Sequence, residues 1–166
     1  MRHWELSISS KGNSDFMLQA IRLATENVLH GAGGPFGCVI VRDGKVIATG
    51  TNRVTADNDP TAHAEILAIR EACSKLGSFQ LTGCEVYTSC EPCPMCLAAL
   101  YWARCEAIYY GNTASDAAAV GFDDHFLYDE LKLSVDERTI PTQRMLGDEA
   151  IASFEAWRKN PNRIDY

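Results

Sequence analysis

One histidine and two cysteines, at positions 63, 93 and 96, are the residues of this chain best suited to hold a metal. They lie in two short motifs, His63-Ala64-Glu65 and Pro92-Cys93-Pro94-Met95-Cys96, with 26 residues between Glu65 and Pro92. Imidazole nitrogen and thiolate sulfur are donors that zinc prefers. A set of three leaves one tetrahedral position for water, as a catalytic site requires. Glu65 stands two residues past the histidine, near the metal without needing to bind it. A carboxylate there is placed to carry protons to and from a water that the metal makes acidic. A structural zinc site would want a fourth ligand. Cys90 is the nearby candidate, extending the run to C-x-x-C-x-x-C, but its place at the end of a strand suits a packing residue better. A C-x-x-C alone also serves as a redox pair; the upstream H-x-E argues against that use.

Helices must carry both motifs. Thr61–Leu76 has helical character and stops at Gly77; Pro94–Ala103 begins with a proline tolerated in a first turn. Ligands at two helix N-termini experience a positive field that favours thiolate over thiol. Around them we expect a first helix over 15–29, capped by Ser14, with Phe16, Ala20, Leu23, Ala24 and Val28 on one face. A hairpin of 36–41 and 45–50 turns at Asp43-Gly44. Residues 52–60 read as loop, 85–89 and 107–110 as strands, 114–119 and 126–132 as short helices, and 148–159 as a last helix. Thr139–Leu146 reads as extended, interrupted by Pro141. The glycine-rich stretch 31–37 lacks the G-x-x-x-x-G-K pattern and precedes a strand, so it is no phosphate cradle.

The 166 residues suit one zinc-bearing domain over 15–166, with Met1–Ser14 as an N-terminal extension that has no apolar signal core. Hydrophobic residues make up 46 %, but no run is long enough to span a bilayer. The net charge of −7 disfavours a nucleic-acid partner, whose phosphates call for clustered lysine and arginine. Of seven cysteines, five (Cys38, Cys73, Cys84, Cys90, Cys105) remain as reduced packing residues, which fits the cytoplasm.

The H-x-E and P-C-x-x-C pair resembles that of the cytidine deaminase-like superfamily, whose members hydrolyse amino groups from nucleobases with zinc. Within it the chain is similar to the small bacterial guanine deaminases. The resemblance runs from about Phe16 to the last residue through GGPFG (33–37), NDPTAHAE (58–65), YTSCEPCPMC (87–96), YWAR (101–104), GFDD (121–124), ERTIP (137–141) and the terminal tyrosine. The zinc motifs imply deamination in general; GFDD, ERTIP and Tyr166 imply guanine.

The resemblance implies a three-layer α/β fold with a central mixed five-stranded sheet, Thr139–Leu146 being the fifth strand. It implies a homodimer whose C-terminal segment is swapped, so that Tyr166 closes the partner's site. One zinc ion per subunit would be held by His63, Cys93 and Cys96. Glu65 would be the proton carrier and Asp124 a second acid–base group. Asn52 would contact the purine, and Phe36 and Trp102 would stack on it. Apart from the resemblance, we expect backbone groups at Ala64 and near Cys93 to hold the tetrahedral intermediate by hydrogen bonds. The expected partner is a small purine, with guanine converted to xanthine and ammonia in purine catabolism. Each of these positions has a plainer use: Asn52 as a turn former, Asp124 as a helix cap, Phe36 and Trp102 as core, Tyr166 as a frayed end. Guanosine deaminase shares GFDD and remains an alternative. A tRNA adenosine deaminase lacks support in the acidic balance, and a cytosine deaminase in the GFDD motif. A zinc scaffold without catalysis would have no use for Glu65.

Overall fold

In a computed structural model of the chain, residues 11–166 are described. The expected extension over 1–14 therefore lies mostly outside the described residues. The described chain separates into two units, one ending at Asp124 and one spanning His125–Tyr166.

The first unit is built on a sheet of β1 (Gly37–Arg42), β2 (Lys45–Thr51), β3 (Cys84–Cys90) and β4 (Ala107–Asn112), in the order β2-β1-β3-β4. Strand β1 pairs antiparallel with both β2 and β3, while β3 and β4 run parallel. The hairpin turns where expected: Asp43 and Gly44 both take positive φ, 51° and 69°, the conformation that an Asp-Gly pair supplies readily. Two-residue alternation in β1 sends Cys38 and Ile40 to one face and Val39 and Val41 to the other. On the second face Phe16, Met17, Ala20 and Leu23 of α1 (Ser14–Leu29) pack with Val39, Val41 and Tyr87. On the first face lie α3 (Ala64–Leu76) and α4 (Pro94–Ala103). Ala64, Ala68 and Ala72 form a stripe of small side chains that lets α3 sit close on the sheet. The result is helix, sheet, helix: a three-layer α/β arrangement.

Several boundaries differ from the sequence reading for local reasons. Asn13, not Ser14, caps α1, its Oδ1 accepting from the Asp15 N–H at 2.8 Å. Val28 is 48 % exposed, and the buried stripe of α1 is Ala20, Ala24 and Asn27. Helix α3 begins at Ala64 rather than Thr61, because the Asp59 carboxylate takes both the Thr61 N–H (2.8 Å) and its hydroxyl (2.7 Å) in a turn. The loop after β2 holds a single helical turn, α2 (Val54–Asp57), ended by Asn58 at φ 51°.

The second unit holds α6 (His125–Glu130) and α7 (Gly147–Lys159); α5 (Ala114–Ala119) belongs to the first. The expected fifth strand is absent: among the described residues the sheet has four strands. The Thr139 N–H and hydroxyl, which would begin that strand, are tied to the Glu130 carboxylate at 3.0 and 2.6 Å. Pro141 then has no N–H to offer a ladder. Among the described residues no helix is long and apolar enough to cross a membrane.

Candidate metal centre and substrate cavity

Both metal motifs arrive at helix ends. His63 is the N-cap of α3 and Cys93 the N-cap of α4, each with extended backbone that points its side chain off the helix terminus. Pro94 follows at the first helical position, where a missing N–H costs nothing. Cys96 lies one turn in and is fully buried.

The His63 Nδ1 is 3.6 Å from Cys93 Sγ and 3.5 Å from Cys96 Sγ. Two ligands of one tetrahedral zinc ion, at ordinary Zn–N and Zn–S bond lengths, stand about 3.6 Å apart. The three donor atoms all lie within 4.8 Å of one another, and among the described residues the group contains no other residue. Donor chemistry and spacing therefore fit zinc. Cys90 stays outside the group; it is buried at the end of β3, with its Sγ 3.6 Å from the Thr113 carbonyl oxygen. Electrostatics prepares the cluster. A hydrogen bond from the Cys96 thiol, aided by His63, holds the Cys93 thiol down to about 4 against the effect of burial. The same bond and burial push Cys96 up. His63 is raised by its contact with Cys93.

Glu65, 6 % exposed, sits beside this cluster in the first turn of α3. The Thr88 hydroxyl donates to its Oε1 at 3.2 Å, and the Cys96 thiol to its Oε2 at 3.4 Å. Burial raises its pKa above the usual carboxylate value. A carboxyl so placed holds a proton more readily than a solvated one does.

His63, Glu65 and Cys93 open onto a cavity of about 590 Å³ that Phe36, Asn52 and Asp124 also line. Phe36 meets Phe122 edge-on, ring centroids 4.9 Å apart, forming an aromatic wall. The Asn52 Oδ1 accepts from the backbone N–H groups of Gly34 and Val54, both at 3.3 Å. Asp124 is raised by burial first and then by the negative charge of Cys93.

Other expected site residues lie elsewhere. Ala64 is fully buried in the core and does not line the cavity. Trp102, near the end of α4, is 65 % exposed and not among the lining residues. Tyr166 belongs to the second unit, where its ring meets Trp157 edge-on at 6.3 Å. Sequence reasoning missed Asn27, Thr88, Glu91 and Phe122. Thr88 and Glu91 lie within the YTSCEPCPMC stretch and Phe122 within GFDD, so those motifs held a signal for them; Asn27 lies outside every motif.

Comparison with known proteins agrees with this geometry. Residues 10–112 match the cytidine and deoxycytidylate deaminase zinc-binding region. A guanine deaminase of Bacillus subtilis is 54 % identical over 151 residues, 91 % of this chain and 97 % of that one. The X-ray structure of a guanine deaminase from Bacillus subtilis superposes with a TM-score of 0.91 at 52 % identity, covering 94 % of this chain and 99 % of that one. A tRNA-specific adenosine deaminase of Agrobacterium fabrum is 49 % identical over 86 residues, 52 % of this chain and 57 % of that one. The shared part of that pair is thus about half of each, whereas the guanine deaminases match nearly end to end. The chain belongs to the cytidine and deoxycytidylate deaminase family, in its zinc-binding region.

Proposed function

We propose that this chain is a zinc-dependent guanine deaminase, hydrolysing guanine to xanthine and ammonia in purine catabolism. The observation that carries the reading is one cavity onto which His63, Cys93, the buried Glu65 carboxylate and an aromatic wall all open, in a chain similar to a guanine deaminase along nearly its whole length.

His63, Cys93 and Cys96 hold the zinc, which when bound supplies the acidity that makes water a nucleophile near neutral pH. Glu65 accepts the proton lost as water attacks carbon 2 of guanine. It gives that proton to a ring nitrogen, then takes the proton of the new carbon-2 hydroxyl and passes it to the amine; the C–N bond breaks, the carbonyl of xanthine forms and ammonia departs neutral. Thr88 holds Glu65 by its Oε1. Asn52 binds the purine edge, Phe36 packs on the ring, and Asp124 serves the leaving amine as a second proton site. The Ala64 backbone supports the site from the first turn of α3.

We also infer a homodimer with exchanged C-terminal segments. No residue of 125–166 is buried, and Leu131, Ile140, Met145, Leu146, Phe154 and Ile164 are each more than 60 % exposed. Apolar surface on this scale calls for a covering partner. In that assembly Tyr166 closes the neighbour's cavity, and Trp102 lies at the subunit contact. All seven cysteines are free, and the reading places the enzyme in a reducing cytoplasm.

The test is ammonia release by the zinc-loaded protein with guanine, guanosine, adenine and cytosine side by side. Guanine turnover far above the rest supports the reading. Preference for guanosine keeps the zinc chemistry but overturns the closed cavity.

A further inference from the structure

We propose that Asn27 is a positioning residue for substrate recognition: it fixes Asn52 and the Gly33–Gly34 loop so that the Asn52 amide presents a hydrogen-bond donor to the purine. The proposal rests on the guanine deaminase reading and deepens it.

Asn27 lies in the last turn of α1 and is 6 % exposed. Its Nδ2 carries two hydrogens, and both are engaged. One goes to the Gly34 carbonyl and the other to the Asn52 carbonyl, each at 2.9 Å. One side chain thus bolts together two segments that are far apart in sequence and line the same cavity.

The bolt fixes more than the backbone. With Asn52 and Gly34 held, the Gly34 N–H reaches the Asn52 Oδ1 at 3.3 Å, and the Val54 N–H reaches the same oxygen at 3.3 Å. The Asn52 N–H donates to the Phe36 carbonyl at 3.1 Å, and the Phe36 N–H to the Gly34 carbonyl at 2.9 Å. The loop, Asn52 and the aromatic wall therefore form one closed network. An amide whose oxygen accepts two backbone N–H groups cannot flip without losing both. Its nitrogen is left to donate, so the site asks for an acceptor on the bound base. Guanine offers O6 and N7 acceptors side by side, whereas adenine carries an amino donor in place of O6. A second observation points the same way. A side chain at Gly33 would collide with the Asn52 carbonyl oxygen and stand 3.1 Å from Asn27 Nδ2, so the loop backbone packs directly on the carbonyl that Asn27 holds.

The test is a double-mutant cycle with guanine as substrate. Asn27→Ala is expected to raise KM about tenfold while kcat falls no more than about threefold, with zinc content unchanged. Asn52→Ala alone is expected to raise KM by more. In the Asn52→Ala background, Asn27→Ala should then raise KM less than about twofold, because the residue it orients has gone. Asn27→Ser, which keeps one donor but cannot reach both carbonyls, should fall between wild type and Asn27→Ala. It stands in if the alanine variant does not fold. Equal multiplication of KM by the Asn27 substitution in both backgrounds overturns the proposal, as does an unchanged KM in a folded Asn27 variant. Failure of the wild type to turn over guanine would instead overturn the functional reading on which it rests.

Discussion

Gly50 offers the sharpest structural test of how the sheet positions the metal ligands. It sits in β2 directly beneath the first turn of α3, the turn that carries Glu65 and is capped by His63. A Cβ added at Gly50 would stand 2.1 Å from the Ala64 carbonyl oxygen and 2.9 Å from the Ala68 nitrogen. Real Cβ atoms essentially never come within 3.0 Å of such an atom, so Gly50→Ala must open the gap by close to 1 Å. Both neighbours are backbone and cannot swing aside. Strand β2 is held by its pairing with β1, Gly50 opposite Cys38, so the helix end is what moves. Metal ligands tolerate displacements of about 0.2 Å. A misplacement near 1 Å in a catalytic group costs about a hundredfold in rate. We therefore expect Gly50→Ala to lower kcat/KM about a hundredfold, to weaken zinc binding in a chelator competition, and to cost about 1–3 kcal/mol of stability from overpacking. At about 2–4 °C per kcal/mol for a chain of this size, the melting temperature falls by several degrees. Gly44→Ala is the control. Its Cβ would meet nothing within 4 Å, but its φ of 69° makes the substitution strained. It should cost about 1 kcal/mol and leave zinc affinity and kcat/KM unchanged. Wild-type zinc affinity and rate in Gly50→Ala would refute the argument that the β2–α3 contact sets the ligand geometry.

Three further outcomes follow from the same structure. Cys90→Ala should keep one zinc per chain by elemental analysis and lose about 1 kcal/mol of stability, comparable to one buried methylene; loss of the zinc would make Cys90 a ligand. Removing residues 160–166 should leave zinc content near that of the full chain but lower turnover about tenfold or more, if Tyr166 closes a cavity; unchanged kinetics would remove Tyr166 from the site. The Asp116 carboxylate, which accepts from the N–H and hydroxyl of Thr113, is held below its usual 3.8. A depressed value means that its support of α5 is present above pH 3.8 and lost as pH falls through the folded value. NMR titration of Asp116 with a midpoint at or above 3.8 would contradict that reading.

The legible parts of the fold were those written in local chemistry. Asp43-Gly44 announced its turn, Pro94 the start of α4, and Gly77 the end of α3, where it takes φ 60°. His63, Cys93 and Cys96 were legible as a group because of their donor types and their places at two helix starts, and the structure brings their donor atoms within 4.8 Å of one another. What was not legible depends on partners distant in the chain. Asn27 looks like any polar residue late in a helix until Gly34 and Asn52 are folded against it. Thr88 becomes a partner of Glu65 only when β3 lies beside α3. Thr139–Leu146 has the composition of an extended segment, yet the Glu130 carboxylate captures its first N–H and no ladder forms. Trp102 shows the limit of residue type as a guide: an aromatic near the metal motif reads as core or pocket, whereas in the single chain it is 65 % exposed.

The most direct test of the central claim compares xanthine formation by the zinc-loaded wild type and by Glu65→Gln at equal zinc content. The substitution keeps the shape of the side chain and removes its ability to carry a proton. The account predicts guanine turnover by the wild type and a loss of about a hundred- to ten-thousandfold in the variant, the span expected for a proton carrier. A Glu65→Gln enzyme as fast as the wild type would contradict it, and so would a zinc-loaded wild type that leaves guanine untouched.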